Sequence, residues 1–430
     1  MFNFLLTIYI IMTPLIKKSD AWLNVGGGFN LTTFLLLFMS MAWLFGAMSD
    51  KDAKIVKTPL DLPLMFLILT TFISIFVGMV NYQIPIFSGS LHVYKRFLTQ
   101  FFVFWLIANN VKGEKQIKWV LTVLILSVFF QAILTIFQHY SVRSYHYDDD
   151  MRIGGTFYRS NELATFLVAY LPMMVAIFFF TKNIFLKLIL AGFSFITSMA
   201  ILYTFSRESY LALGVVLFIF GLFKNRLFLV GLIIVGVFAP IILPANVYER
   251  FESIQDTEQD ASVNTRFEMW RMARARIVES PVIGHGYLTS RYLLPRDTHN
   301  MYFDIAMESG VPALLLLIWF FNRAFFSSLK FYLRTKDTWN KILAISSVCS
   351  VAAMALCNFF GTRLTFVPIN IYFFILLGMT MRAKFEEDLR LSSQAPLTPK
   401  TKKSGQDRYE KNKNSIYNRQ INHRRGPGSS

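Results

Sequence analysis

Apolar blocks of 15 to 25 residues follow one another from Phe2 to Met381, separated by short polar breaks. About 20 apolar residues in a helix cross the hydrocarbon core of a bilayer. A transmembrane barrel would instead alternate in short segments. Composition points the same way. The chain has 45 Phe and only 16% charged residues, where a soluble domain carries about a quarter. So many rings cannot be hidden in a core under a soluble surface, which excludes a soluble globular enzyme and a disordered chain.

Twelve spans are predicted, at about 2–16, 29–48, 61–80, 95–111, 117–139, 161–181, 184–205, 207–223, 226–243, 300–322, 340–360 and 364–381. The first is read as a helix, because it lacks the basic start and small-residue cleavage site of a signal peptide. The expected fold is all-α: a polytopic membrane protein of about 12 transmembrane helices, with one large loop, 244–299, between helices 9 and 10. Residues 1–381 form the membrane domain. Residues 382–430 are polar and basic and read as a disordered cytoplasmic tail that could also be drawn to anionic membrane lipids.

Lysine and arginine set the orientation. With the N-terminus inside, the inner loops hold 15 such residues against 9 in the short outer loops, and the tail adds 12 on the inside. Both termini are therefore expected in the cytoplasm, with the large loop outside. Inner cations are mostly Lys, whereas 13 of the 16 outer ones are Arg. Arginine's planar fork suits carboxylate or phosphate. Five of the six histidines (His92, His139, His146, His285 and His299) also fall outside, so any chemistry is expected there. The net charge of +17 sits in these loops and the tail, so nucleic acid is not an expected partner. Cys349 and Cys357 share one apolar span, too few and too enclosed for a disulfide framework or a zinc site.

The large loop is the extramembrane segment long enough to build a site. Val263–Val278 predicts a helix with Arg266, Trp270, Ala273 and Ile277 on one face, lying along the membrane surface with Trp270 as an interfacial anchor. Pro281 and Gly284-His285-Gly286 break it. Asp297-Thr298-His299-Asn300 then leads into a span holding Glu308 and Gly310-Val311-Pro312. An ionisable group inside a span is costly, which makes Glu308 a site candidate. Arg207 and Glu208 have almost no loop around them; they are either site residues or an ion pair marking a tight hairpin. Gly154-Gly155 lies between Arg152 and Arg159, close to Asn161, and could offer backbone N–H groups to an anion. Asp148-Asp149-Asp150 reads as a solvated acidic loop rather than a metal site.

The ordered set RIGGTF (152–157) with Asn161, TFSRES (204–209), NTRFEMW (264–270), PVIGHGY (281–287) and THNMYFDIAMESGV (298–311) resembles the O-antigen ligase and polymerase superfamily of bacterial inner-membrane glycosyltransferases. The resemblance runs from about Arg152 to about Pro312. It implies a donor glycan on undecaprenyl diphosphate, transferred at the periplasmic face to the lipid A core, to a growing glycan or to protein. By resemblance, Arg207 and Arg266 match the family's two essential arginines and His299 its essential histidine. Neither metal nor other cofactor is expected. Two arginines in a poorly hydrated site would stabilise the leaving diphosphate, and a neutral His would take the acceptor's proton. Arg152, Arg159, Asn161, Glu208, Asn300, Glu308 and His285 are expected to bind substrate.

His299 could cap the following helix, Arg266 could snorkel, and His285, in a flexible turn, is the second choice as base. A polymerase of surface or exopolysaccharide repeat units would share the donor site, and other polysaccharide assembly proteins are possible partners. A small-anion, bicarbonate-type transporter would show internal repeats and polar groups near the midplane, and no convincing repeat is visible. A non-catalytic scaffold would not need the two arginines and the histidine.

Overall fold

The computed structural model describes residues 1–15, 31–49, 55–85, 90–142, 153–157, 159–238 and 261–394. Among them there is no strand. The helices are α1 (Phe2–Met12), α2 (Leu31–Ser49), α3 (Asp61–Tyr82), α4 (Leu91–Asn110), α5 (Gly113–Val142), α6 (Ser160–Phe180), α7 (Ile184–Tyr203), α8 (Arg207–Phe223), α9 (Arg226–Val237), α10 (Ala261–Glu279), α11 (Ser290–Leu293), α12 (Met301–Arg334), α13 (Thr338–Phe359) and α14 (Val367–Gln394). A 3₁₀ turn, Arg363–Thr365, joins the last two. Six of these helices, α3, α5, α6, α7, α12 and α13, are long and apolar enough to cross a membrane. Large apolar side chains such as Phe185, Leu188 and Phe195 remain exposed on them, which an aqueous surface would not tolerate in such number. The chain is a multi-pass membrane protein.

Burial is uneven. Along α6 every residue from Leu163 to Ile177 is buried, and α13 and α14 carry similar runs. These are the inner helices. Helix α6 packs on α5, α7, α8 and α13, while α12 packs on α3, α10 and α13.

The chain divides into Met1–Glu386 and Glu387–Ser430. Only 387–394 of the second unit are described, and they are helical. Helix therefore continues past Met381, where a disordered tail was expected. Arg382 donates to Glu386 one turn on, at 2.8 Å, an i,i+4 pair that favours helix. Residues 395–430 lie outside the described residues, as do 239–260, the first part of the large loop.

The span after His299 is broken at Gly310. Gly310 has φ 84° and ψ 167°, inside a helix that otherwise runs from Met301 to Arg334. The segment 281–287 fills the break. The amides of His285 and Gly286 donate to the carbonyls of Met307 (2.9 Å) and Glu308 (2.8 Å), and Val311 donates to Pro281 (2.8 Å). On its other side the segment lies against α3: Tyr287 N–H donates to the Ser74 carbonyl at 3.0 Å, and Ser74 Oγ to the Glu308 carbonyl at 2.6 Å. Carbonyls freed by the break thus find donors, as backbone enclosed in a membrane protein must. The contact is close: a Cβ on Gly286, whose φ is 119°, would lie 2.2 Å from Gly78 Cα. Gly286→Ala is expected to destabilise the fold by more than about 3 kcal/mol through strain and overpacking, read as a lower unfolding temperature of the purified chain.

Helix α10 covers the predicted Val263–Val278 but is seated differently. Met269 and Ala273 are buried in a small core with Leu294 and Met307. The Trp270 indole N–H donates to the Thr298 carbonyl at 2.9 Å, and its ring stacks on Phe303 with centroids 5.7 Å apart. The helix is docked on the start of α12 through its apolar stripe, with Trp270 as part of the packing rather than a surface anchor.

Candidate functional site

Several helix ends meet at one end of the bundle: the starts of α6, α8, α12 and α14 and the end of α13. Glu208, in the first turn of α8, is 6% exposed, and Arg363, in the short link after α13, is 7% exposed. They form a buried ion pair, Arg363 Nη2 donating to Glu208 Oε1. Glu208 therefore pairs with Arg363 rather than with its neighbour Arg207. Buried side-chain amides hold the link in place. Leu364 N–H donates to Asn358 Oδ1 at 3.0 Å, Gln100 donates to the Leu364 carbonyl at 3.0 Å, and Asn370 donates to the Arg363 carbonyl at 2.9 Å. Glu162, in the first turn of α6, acts electrostatically on Arg363, and Arg266 on Glu208. Both carboxylates sit at helix N-termini, where the helix dipole favours them.

His299 joins this cluster from the link before α12. It is half-buried with φ 51°, an unusual conformation for a residue with a side chain, and such outliers gather at functional sites. Its N–H donates to Asp297 Oδ1 at 3.0 Å. The cap of α12 is the next residue: Asn300 Oδ1 accepts from the amides of Tyr302 (3.0 Å) and Phe303 (3.2 Å). The His299 ring is thus not spent on capping. Burial holds the imidazole below the ordinary histidine range. Asp297 opposes this, whereas Arg266, Arg159 and Arg363 push further down because each disfavours a second positive charge. An imidazole held towards its neutral form in the field of three guanidinium groups can accept a proton beside a bound anion.

The other sequence-predicted residues fall as follows. Arg266 is half-buried on α10, and Arg207 is half-buried at the start of α8, outside the set of cations that shift His299. Arg159 precedes α6 and is exposed; Asn161 lies in the first turn of α6. Gly155 is held by Gln138, which accepts from its N–H at 3.0 Å. Arg152 and Asp148–Asp150 lie outside the described residues. Glu308 is buried, and its Oε1 accepts from Ser290 Oγ at 2.5 Å.

His285 is pinned rather than sited in a flexible turn. Its Nε2 faces the Arg276 carbonyl at 2.8 Å and its Nδ1 faces the Tyr82 hydroxyl at 2.8 Å. A carbonyl only accepts, so Nε2 carries the hydrogen and Nδ1 accepts from Tyr82. Both nitrogens are engaged in joining α3, α10 and the segment between them.

Sequence reasoning did not single out Arg363. The signal was available: Gly361-Thr362-Arg363 sits between two apolar spans with as little loop as Arg207-Glu208 has.

The chain matches no curated protein. Residues 192–318, from the middle of α7 into α12, match the family described as O-antigen ligase. The matched segment contains Arg207, Glu208, Arg266, His285, His299 and Glu308 and ends before Arg363. The match over this segment, in a multi-pass membrane protein, supports the O-antigen ligase and polymerase superfamily.

Proposed function

We propose that the protein is a glycosyltransferase that moves a glycan from undecaprenyl diphosphate to an acceptor hydroxyl, at a site on the periplasmic face of the inner membrane. The twelve-span topology with both termini inside belongs to the same reading. The supporting observation is the placement of His299 within electrostatic reach of Arg266, Arg159 and Arg363.

In this mechanism the arginines hold the diphosphate. As the bond between sugar C1 and the diphosphate oxygen breaks, the electron pair goes to that oxygen, and the guanidinium groups stabilise the charge that builds there. The acceptor oxygen attacks C1 from the opposite face, inverting the anomeric centre, and its proton passes to the free ring nitrogen of His299. Arg207 and Arg266 are the diphosphate ligands carried over from the family resemblance, and Arg363 and Arg159 add to their field. Glu208 orients Arg363 and limits the net positive charge. The charged groups collect at one end of the bundle rather than along a path through it, which supports a one-sided enzyme over a transporter.

The test is glycan analysis of a deletion strain complemented with wild type, Arg207→Ala, Arg266→Ala or His299→Ala, at matched expression. Complete lipid-linked chains that accumulate without transfer identify a ligase; accumulated single repeat units identify a polymerase. Full restoration of the surface glycan by all three variants overturns the reading. His285→Ala is expected to behave differently, losing thermal stability while the pH dependence of transfer stays as in wild type.

A further inference from the structure

A cavity of about 310 Å³ lies between α3, α4, the link before α12, the first turns of α12 and the link after α13, where Thr362 and Thr365 line it. Neither His299 nor Arg266 lines it, and the transfer chemistry above makes no use of it. Its wall includes Asp297, Asp304, Glu308, Ser309, Arg291 and Tyr287. The carboxylates are held in fixed orientations. Glu308 Oε1 accepts from Ser290 Oγ at 2.5 Å and Asp304 Oδ1 from Thr298 Oγ1 at 2.5 Å. Arg291 and Arg296 also line the cavity, and Arg291 acts electrostatically on Asp304 and Glu308, so three carboxylates share the wall with two guanidinium groups and the charge is close to balanced, which suits a neutral ligand better than an ion.

Ser309 supplies an independent sign of a ligand. It is 6% exposed, and its hydroxyl has no hydrogen-bond partner among the described residues. Some buried helical hydroxyls donate to the carbonyl four residues back, as Thr135 does to Gln131 at 2.7 Å and Thr380 to Leu376 at 2.9 Å; those of Ser194, Ser328 and Ser350 lack a partner as Ser309 does, but none of these three lines the cavity. Ser309 lies on the cavity wall. A buried hydroxyl left unsatisfied costs about 1–3 kcal/mol, which a hydroxylated ligand would recover.

Oriented carboxylates, a spare hydroxyl and an aromatic wall are the groups that hold a sugar ring: carboxylates accept from its hydroxyls, and the ring of Tyr287 covers its apolar face. A volume at the small end of ligand pockets, about 300–1,000 Å³, fits one ring rather than a lipid chain. Asp297 connects the cavity to the chemistry, because it lines the wall and accepts the His299 amide hydrogen. We propose that this cavity is a saccharide subsite that seats one neutral pyranose of the acceptor, next to the sugar whose hydroxyl reacts. The proposal rests on the transferase reading for the word acceptor, and on the cavity alone for sugar binding.

The test uses the full chain in lipid nanodiscs. Methyl glycosides of glucose, galactose, mannose, rhamnose and N-acetylglucosamine are offered one at a time and followed by saturation-transfer NMR. Undecaprenyl diphosphate binding is measured separately. At least one glycoside is expected to bind wild type, with at least tenfold weaker binding in both Asp304→Asn and Ser309→Val and undecaprenyl diphosphate still bound. Arg266→Ala is expected to do the reverse. If Asp304→Asn no longer binds undecaprenyl diphosphate, Ser309→Val, which fills space without removing a charge, decides the matter. Binding of no glycoside, or equal binding by every cavity variant that retains undecaprenyl diphosphate, overturns the subsite and leaves the donor reading intact. Glycoside binding without undecaprenyl diphosphate binding by wild type overturns the donor reading and leaves the subsite standing.

Discussion

His299→Ala is expected to lower the rate of glycan transfer by about 10²–10⁴-fold, the usual worth of a positioned general base, while undecaprenyl diphosphate still binds. The pH dependence gives the sharper test. A base must be neutral to accept a proton, and burial together with Arg266, Arg159 and Arg363 holds His299 below the ordinary histidine range. The wild-type rate is therefore expected to stay level through neutral pH and to fall only as acid protonates the ring. Arg159→Gln removes one repelling cation, so the ring gains basicity and the acid limb moves towards neutral pH. Asp297→Asn removes the group that favours the protonated ring and moves the limb further into acid. Opposite displacements in these two variants, measured as rate against pH, would tie the limb to His299. A limb that stays fixed in both would exclude it as the base.

Glu208→Ala is expected to be among the most damaging single changes to the fold. Arg363 would keep its buried guanidinium with its ion-pair partner gone, and breaking a buried pair from one side costs about 3–5 kcal/mol. Thermal unfolding of the purified chain should show a large loss. Glu208→Gln combined with Arg363→Gln should recover much of it, because no unpaired charge then remains. The double variant separates fold from chemistry: stability returns, but the cation beside His299 does not, and transfer should stay low. Equal stability of Glu208→Ala and wild type would mean that the pair does not hold the link after α13 in place.

The helices were legible because the signal for a span is local. Twenty apolar residues announce themselves without knowledge of their neighbours, and a helix lies over each predicted segment as far as the described residues extend. The seating of α10 was less legible. Its alternation of Arg with Met, Ala and Trp fits a helix on a membrane surface as well as one docked on α12, and only the tertiary partners Leu294 and Met307 distinguish the two. His285 looked mobile because glycines flank it. Those glycines instead allow close backbone approach to α3 and α12, which immobilises the histidine between them. Arg363 escaped notice because its significance depends on Glu208, 155 residues away in sequence. The continuation of α14 past Met381 was missed because the composition becomes polar there while helical pairing, as between Arg382 and Glu386, persists.

The break at Gly310 also bears on how this region opens. The amides of His285, Gly286 and Val311 are each bonded across the break, to Met307, Glu308 and Pro281, so none can be exposed without displacing the whole crossing. In hydrogen–deuterium exchange these three amides should therefore be slow and should exchange together at a common opening free energy, as one cooperative unit. Amides in the last turn of α10, where Val278 and Glu279 are exposed, should exchange earlier and independently.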